Sequence, residues 1–534
     1  MSGKKFNTTG RCESKRHYMV DMEERLVEIK MLIAEGAYFS INRARQYGKT
    51  TILNALRSYL HEYYNVAAID FQFLTYEDFK DEYTFTKAFA NRFALSLRDV
   101  TGLDYQVINA VKKIADNNDC SLAALFECLS KVCETSDKPV VLLIDEVDSA
   151  SNNQVFMDFL ALLRGYYLSR DEFPTFQSVI LAGVYDLKNL RNKIRPKEEH
   201  RYNSPWNIAA DFDIRMEFDI KDIEGMLKEY EQDNQTGMDI PAIAGLIYDY
   251  TSGYPFLVSR ICKIIAEKIY DVDKDIRVAD GTRVNSAWTK NGFLEAVKII
   301  LTEHNALFSS LVKQLHDYPE LREMIYKLLF SGDQITFNKL NPVIDIASMF
   351  GFVKNLDGKV VVSNRIFETI LYNFFTSEEE VGSSIFKAGA ADKNKFIHDG
   401  ILDMNLVMER FAVEFNKLYS KSDEKFIEDN CRKFFLLYLK PIINGTGHYY
   451  VESRTRDDKR TDIIVNYHSR EYIIETKIWH GEEYNKRGEE QLADYLDIYE
   501  AKKGWLLSFN FNKNKVSCFK EIKCGDKVLY EVVV

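Results

Sequence analysis

An α/β fold is what this 534-residue chain predicts, and three stretches carry the prediction. The first, Tyr38 to Leu56, passes from a short apolar strand through Gly48-Lys49-Thr50-Thr51 into an amphipathic helix. The second, Lys138 to Asp148, is an unbroken apolar strand that ends in Asp145-Glu146. Strands that are apolar throughout belong to parallel sheets covered on both faces. The third, Thr461 to Ile478, reads as a hairpin whose two strands carry Asp462, Glu475 and Lys477.

Taken in order, the chain opens with a polar lead (Lys4 to Lys15) and His17 to Asp21, followed by a predicted helix from Met22 to Glu35. Tyr18 and Val20 are candidates for contact with a nucleobase; the alternative is plain packing. Tyr38, Phe39 and Ile41 form the strand, and Ile52, Leu53, Leu56 and Leu60 recur at helical spacing after it. Gly48-Lys49-Thr50 therefore falls at a strand-to-helix turn, where backbone N–H groups can cradle phosphate oxygens. Lys49 is placed to reach the β- and γ-phosphates of ATP and Thr50 to hold Mg²⁺, so Gly48, Lys49, Thr50 and Thr51 are the candidate nucleotide contacts. The usual spacing G-x-x-x-x-G-K-[ST] departs at one place, where Arg43 stands for the first glycine.

Val66 to Phe73 is a second predicted strand, and Tyr76 to Leu129 is predicted helical, with Phe85, Phe89, Phe93 and Leu97 on a core face. Acids at the carboxyl end of a parallel strand lie where open α/β sheets bind ligands. Asp145 would organise the Mg²⁺ shell and Glu146 would orient the attacking water. A helix from Gln154 to Tyr167 leads to a strand from Ser178 to Val184, whose end puts Tyr185 or Asp186 in the place of a γ-phosphate sensor.

Composition narrows the classes. No run approaches the roughly 18 apolar residues of a membrane span, and the N-terminus lacks a signal-peptide core, so a cytoplasmic protein without a membrane partner is expected. The eight cysteines form no C-x-x-C pair, which argues for reduced core thiols rather than zinc. Net charge is −11, against indiscriminate coating of nucleic acid. Residues 421–534 hold 20 basic and 20 acidic side chains, leaving 50 and 61 for residues 1–420, so the whole acidic excess precedes the C-terminal part.

Gly237 to Tyr270 reads as helical. Between Leu307 and Phe375 two helices, an Asp-Gly hairpin at 357–358 and a last helix resemble a winged helix. Its candidate reading helix, Leu340 to Met349, is almost uncharged, which favours a structural or protein-contact role over phosphate binding. Ser377 to Asp392, acidic and then rich in small residues, reads as a linker.

In the C-terminal hairpin, side chains two apart share a face, so Glu475 and Lys477 point together and Asp462 lies on the adjoining strand. Carboxylates offer hard oxygen ligands to Mg²⁺, which acidifies a bound water, and a lysine supports the nucleophile or phosphate. Arg454, Arg456, Lys459 and Arg460 form either a phosphate-facing edge or a solvated loop.

The order of INRARQYGKTT, VVLLIDEVD, SVILAGVYDLKNLR, NSPWNIA and YTSGYPFLVSRIC resembles the AAA-ATPase-like family, close to archaeal-type and STAND-like P-loop ATPases. That family often carries a PD-(D/E)XK nuclease-like domain at its C-terminus, and D-x12-E-x-K is similar to the nuclease core. The resemblance implies a P-loop ASCE-type ATPase core over residues 1–235, a helical lid over 236–305, a winged-helix-like region over 306–376 and the linker at 377–392. Residues 393–534 would then be a restriction-endonuclease-like α/β/α domain. It implies further that Arg260 is a second sensor, that Arg191, Arg195 or Arg201 is a finger, and that Glu428 and Gln491 complete the nuclease site. The expected protein binds and hydrolyses ATP and cuts nucleic acid, DNA rather than RNA, as a homo-oligomer, with a role in defence against phage or mobile DNA. The alternative is a nucleotide-switched scaffold whose nuclease-like domain only binds a partner.

Overall fold

The computed structural model describes residues 3–534 except 99–104, 117–119, 151–152, 185–205, 270–274, 278–282, 332–333, 381, 420–423, 453–461, 469, 479–488, 490–491, 494–495, 497–500 and 511–517. Two compact units divide the chain. The first comprises Met1–Gln235, Gly253–Lys263 and Met349–Gly351; the second comprises Thr236–Ser252, Ile264–Ser348 and Phe352–Val534. The expected lid is therefore shared out, with Gly253–Lys263 in the first unit and its other residues in the second.

The first unit is built on four parallel strands, β1 (Phe39–Asn42), β2 (Asn65–Asp70), β3 (Val140–Asp145) and β4 (Ser178–Gly183), in the order β1-β4-β3-β2. Every residue of β3 and β4 is buried. Alternation along β3 sends Val141 and Leu143 to one face and Leu142 and Ile144 to the other. On the first face lie the helices Glu23–Ala34 and Lys49–Leu60, through Ile29, Ile33, Ile52 and Leu56. On the second lie Glu82–Ser96, Leu122–Thr135 and Gln154–Leu168, with Phe85, Phe89, Phe156 and Phe159 in ring contact. The predicted strand Val66 to Phe73 stops early. The Asp70 carboxylate accepts the Gln72 N–H at 2.8 Å and turns the chain into a short 3-10 helix, Phe71–Phe73.

The second unit begins with the helix Ile240–Thr251 and a small hairpin, β5 (Asp275–Arg277) with β6 (Arg283–Asn285). The helices Ala306–Asp317, Pro319–Tyr326 and Pro342–Met349, the hairpin β7 (Val353–Leu356) with β8 (Lys359–Val362) and the helix Arg365–Glu380 follow in that order. Asp357 and Gly358 both take positive φ, as a two-residue hairpin turn requires.

The stretch read as a linker is helical instead. Arg365–Glu380 runs three residues past Ser377, and Ser383 caps a new helix, Ser384–Asp392. That helix lies against Glu424–Ile443 so closely that a Cβ on Gly389 would come within 2.2 Å of the Tyr438 carbonyl. The run of glutamates is paired, not merely solvated: Glu378 with Arg322, Glu379 with Lys433 at 2.7 Å, and Glu380 with Lys440. Lys433 is 2% exposed and also donates to the Tyr326 hydroxyl. Glu379→Ala would strand a buried ammonium. Because Glu379 itself is half exposed, the cost should fall between a surface pair and a fully buried one, about 2 kcal/mol in urea unfolding.

After a two-residue pair, β9 (Ile397–His398) with β10 (Ile401–Leu402), and two helices, the described residues form a six-stranded sheet. Its strands are β11 (Gly447–Glu452), β12 (Asp462–Tyr467), β13 (Arg470–Ile478), β14 (Lys503–Phe509), β15 (Cys518–Cys524) and β16 (Lys527–Val533), in the order β11-β12-β13-β14-β16-β15. The meander β11 to β13 is antiparallel, whereas β13, β14 and β16 are mutually parallel. One face rests on the helix Met404–Tyr419, where Phe411 and Phe415 meet Phe509 and the Trp505 indole donates to Asn405. Leu492 and Leu496 cover the opposite face at Gly504, where a Cβ would lie 3.1 Å from both.

His448 on β11 sits in this unit, and burial, with the Lys298 ammonium second, lowers its pKa from 6.5 to about 4. The unfolded chain then binds the extra proton first. Stability is expected to fall as pH drops from 6.5 toward 4, by up to ~1.4 kcal/mol per pH unit from this group, and His448→Gln should remove that share of the slope in urea midpoints.

Candidate functional site

The turn between β1 and the helix Lys49–Leu60 forms the first site. Gly48 caps that helix with φ +85°, in the left-handed region that glycine enters without strain. Lys49 is 7% exposed and folds over the loop, donating to the carbonyls of Arg43 at 2.9 Å and Ala44 at 3.0 Å. Burial pushes its pKa down, while Asp148, Glu146 and Asp145 pull it back up. The Thr50 hydroxyl donates to Asp145 Oδ2 at 2.7 Å, so the turn and the end of β3 meet. Asp145 Oδ1 accepts the Glu146 N–H at 2.9 Å, and Glu146 itself has φ +54°. Both carboxyls titrate above their ordinary range, Asp145 through burial, and Glu146 through burial and then the charge of Asp145. Asp148 accepts the Val184 N–H at 2.7 Å and ties the ends of β3 and β4 together.

Arg43 shows how the loop does without its first glycine. Its guanidinium turns away from the helix N-terminus, donates to the Ile214 carbonyl at 3.1 Å and lies over the Phe212 ring. Two tyrosines brace the same loop: the Tyr47 hydroxyl donates to Glu217 at 2.7 Å, and Tyr254, edge-on to Tyr47, donates to the Arg45 carbonyl.

Beside the loop opens a pocket of about 360 Å³. Gly48, Thr51 and Ile52 form its floor, the N-terminal lead one wall through Tyr18 and Val20, and Phe218 and Phe256 another. The lead is held there by the ring cluster of Phe6, Tyr18 and Tyr230 and by the Tyr18 hydroxyl, which donates to Asp233 at 3.1 Å. Arg260 is half-buried on the helix Pro255–Ile264, one residue after Ser259 of the pocket wall. Phe218 and Phe256 escaped the reading of the sequence; the only signal was Phe256 within the GYPFLVSR segment. An apolar slot beside a helix N-terminus, whose Thr50 hydroxyl meets the Asp145 carboxylate at the end of β3, fits a nucleotide with Mg²⁺ in chemistry.

The second cluster lies on the C-terminal sheet. Asp462 on β12 and Glu475 on β13 are direct partners in the antiparallel ladder. Glu475 and Lys477 are 2% and 8% exposed. Glu428 falls within the helix Glu424–Ile443, while Gln491 and the run Arg454, Arg456, Lys459, Arg460 lie outside the described residues, as do Tyr185, Asp186, Arg191, Arg195 and Arg201. Lys477 stands two residues beyond Glu475 on the same strand, and a carboxylate is a hard oxygen donor of the kind that Mg²⁺ and Mn²⁺ take. Among the described residues no helix is long and apolar enough to cross a membrane.

Residues 12–373 match the family model described as an AAA-like domain. Among solved structures, the chain is similar to the Walker-type ATPase paby2304 of Pyrococcus abyssi, with 14% identity and a TM-score of 0.46 over 68% of this chain and 99% of that one. It is also similar to the Aeropyrum pernix ORC2 protein in ADPNP-ADP complexes, with 12% identity and a TM-score of 0.39 over 68% and 94%. The Aeropyrum pernix ORC1 protein in complex with DNA follows, with 13% identity and a TM-score of 0.30 over 66% and 93%. No curated protein matches the chain.

Proposed function

The chain belongs to the AAA-like domain family, and from that premise we propose that it binds and hydrolyses ATP and couples nucleotide state to a metal-dependent nuclease within residues 393–534. The observation that carries the ATPase reading is the Thr50 to Asp145 hydrogen bond beside a buried Lys49. Backbone N–H groups from Gly48 onward would bind the phosphates, and Lys49 would exchange two loop carbonyls for β- and γ-oxygens. Adenine would enter the slot between Tyr18, Val20 and Phe256. Thr50 and Asp145 would hold Mg²⁺, which offsets charge developing on the γ-phosphoryl group. A carboxyl with a raised pKa suits Glu146 to orient the attacking water and take its proton. Thr51 lines the pocket, and Arg260 would contact the phosphates from the helix beside it.

The nuclease reading is supported by the Asp462–Glu475 pairing. Those carboxylates would hold Mg²⁺, which supplies an acidified water and charge stabilisation at the phosphorus. Lys477 would neutralise the scissile phosphate, and Glu428 and Gln491 would complete the site. The substrate is DNA rather than RNA, the active form a homo-oligomer, and the setting defence against phage or mobile DNA. One observation favours the scaffold alternative: Glu475, at 2% exposure, is buried rather than open to a polymer. Purified protein should therefore be incubated with single- and double-stranded DNA and RNA, with Mg²⁺ or Mn²⁺, with and without ATP. Metal-dependent cutting of DNA that ATP alters is the expected result. Intact ATP hydrolysis with no cutting under any condition overturns the nuclease half and leaves the scaffold.

A further inference from the structure

The β11–β16 sheet buries a carboxylate for which the nuclease reading has no use. Glu531 on β16 has 0% exposure. Taking an ionised carboxylate out of water is costly unless hydrogen bonds and a cation offset it. The ladder shows what surrounds it. Glu531 is in register with Leu506 of β14, and Leu506 with Glu475 of β13. Two residues on, Ser508 of β14 is in register with Lys477. Residues two apart on a strand share a face, so Glu475, Lys477, Ser508 and Glu531 form one polar row. All four are more than nine-tenths buried, at 2%, 8%, 0% and 0%.

Within that row the Ser508 hydroxyl donates to Glu531 Oε1 at 3.1 Å. A hydroxyl has a single proton and two lone pairs. With its proton committed to Glu531, Ser508 has only lone pairs left to offer, and the position in register with it on the next strand, about 4.8 Å away, is Lys477. Valine or leucine would fill both places in an ordinary parallel strand.

We infer that Glu531 is a positioning residue of the nuclease site, acting through Ser508 to hold the Lys477 ammonium toward the scissile phosphate. Glu531 touches neither metal nor substrate in this arrangement. The inference rests on the nuclease reading above and adds a residue two strands removed from the Asp-Glu-Lys set.

Replacing a buried charge by an apolar side chain of similar volume is often neutral for stability or improves it, so Glu531→Leu separates positioning from packing. The expected variant melts no lower than the wild type and keeps the wild-type rise in melting temperature with Mn²⁺, because Asp462 and Glu475 are untouched. Its kcat for DNA cleavage falls at least tenfold while KM and ATP hydrolysis stay the same. Glu531→Gln, whose amide oxygen still accepts the Ser508 hydroxyl, recovers most of the rate. Ser508→Ala shows the same loss, and joining it to Glu531→Leu adds nothing, as residues of one relay are not additive. Should Glu531→Leu fail to fold, Ser508→Ala decides by the same kcat. Wild-type kcat in these variants beside an inactive Glu475→Ala overturns the inference and spares the nuclease reading. A wild-type chain that neither cuts DNA nor is stabilised by Mn²⁺ overturns both.

Discussion

Lys49→Ala should abolish the stabilisation that ATP is expected to confer on the folded protein. A ligand present at a hundred times its dissociation constant adds about 2.7 kcal/mol to the folded state, and that gain should vanish from thermal melts of the variant. Hydrolysis should fall by ~10²–10³-fold, the scale on which removal of one preorganised charge-stabilising group acts. The ligand-free variant should keep most of its own stability. The lysine's two hydrogen bonds go to carbonyls of the same loop, and its buried ammonium is the form that burial disfavours. An unchanged ATP shift in Lys49→Ala would remove the loop from nucleotide binding altogether.

Glu475→Ala should bring metal-dependent cleavage below detection, a loss of roughly 10³-fold or more if both metal ligands are needed for the water and the phosphate. The carboxylate is buried and stands directly across the ladder from Asp462. Its removal takes away one oxygen donor while the ATPase site, in the other compact unit, is left intact. ATP hydrolysis at the wild-type rate is the control. Cleavage that survives in Glu475→Ala would place the reaction elsewhere on the chain or in a contaminant.

The strand-loop-helix at Gly48-Lys49-Thr50 and the buried strand ending in Asp145-Glu146 were legible because each motif coincides with a change of periodicity, and the structure brings Thr50 and Asp145 within a hydrogen bond. The hairpin that carries Asp462, Glu475 and Lys477 was legible from its two apolar strands and the turn between them, whereas the direct pairing of Asp462 with Glu475 comes from the fold. Other features had no local signature. An arginine at position 43 is tolerated because its side chain finds carbonyls near residue 214, a partner far off in sequence. Glu378, Glu379 and Glu380 fell in the stretch read as a linker, and only the fold supplies Arg322, Lys433 and Lys440 from two other helices. Glu531 escaped notice because a single glutamate in an apolar stretch, VLYEVVV, belongs to no motif, and its complete burial is supplied by the fold.

The paired glutamates also bear on how this protein can be divided or recombined. A fragment cut at residue 393 would carry Lys433 with neither Glu379 nor the Tyr326 hydroxyl, and Lys440 without Glu380. Cloned alone, or fused behind a different ATPase, such a fragment should be poorly soluble and open to proteases, whereas one that starts before Pro319 keeps all three pairs. Exchange of the C-terminal part between relatives would thus favour breakpoints upstream of Pro319, so that the helices bearing the paired residues are inherited as one cassette.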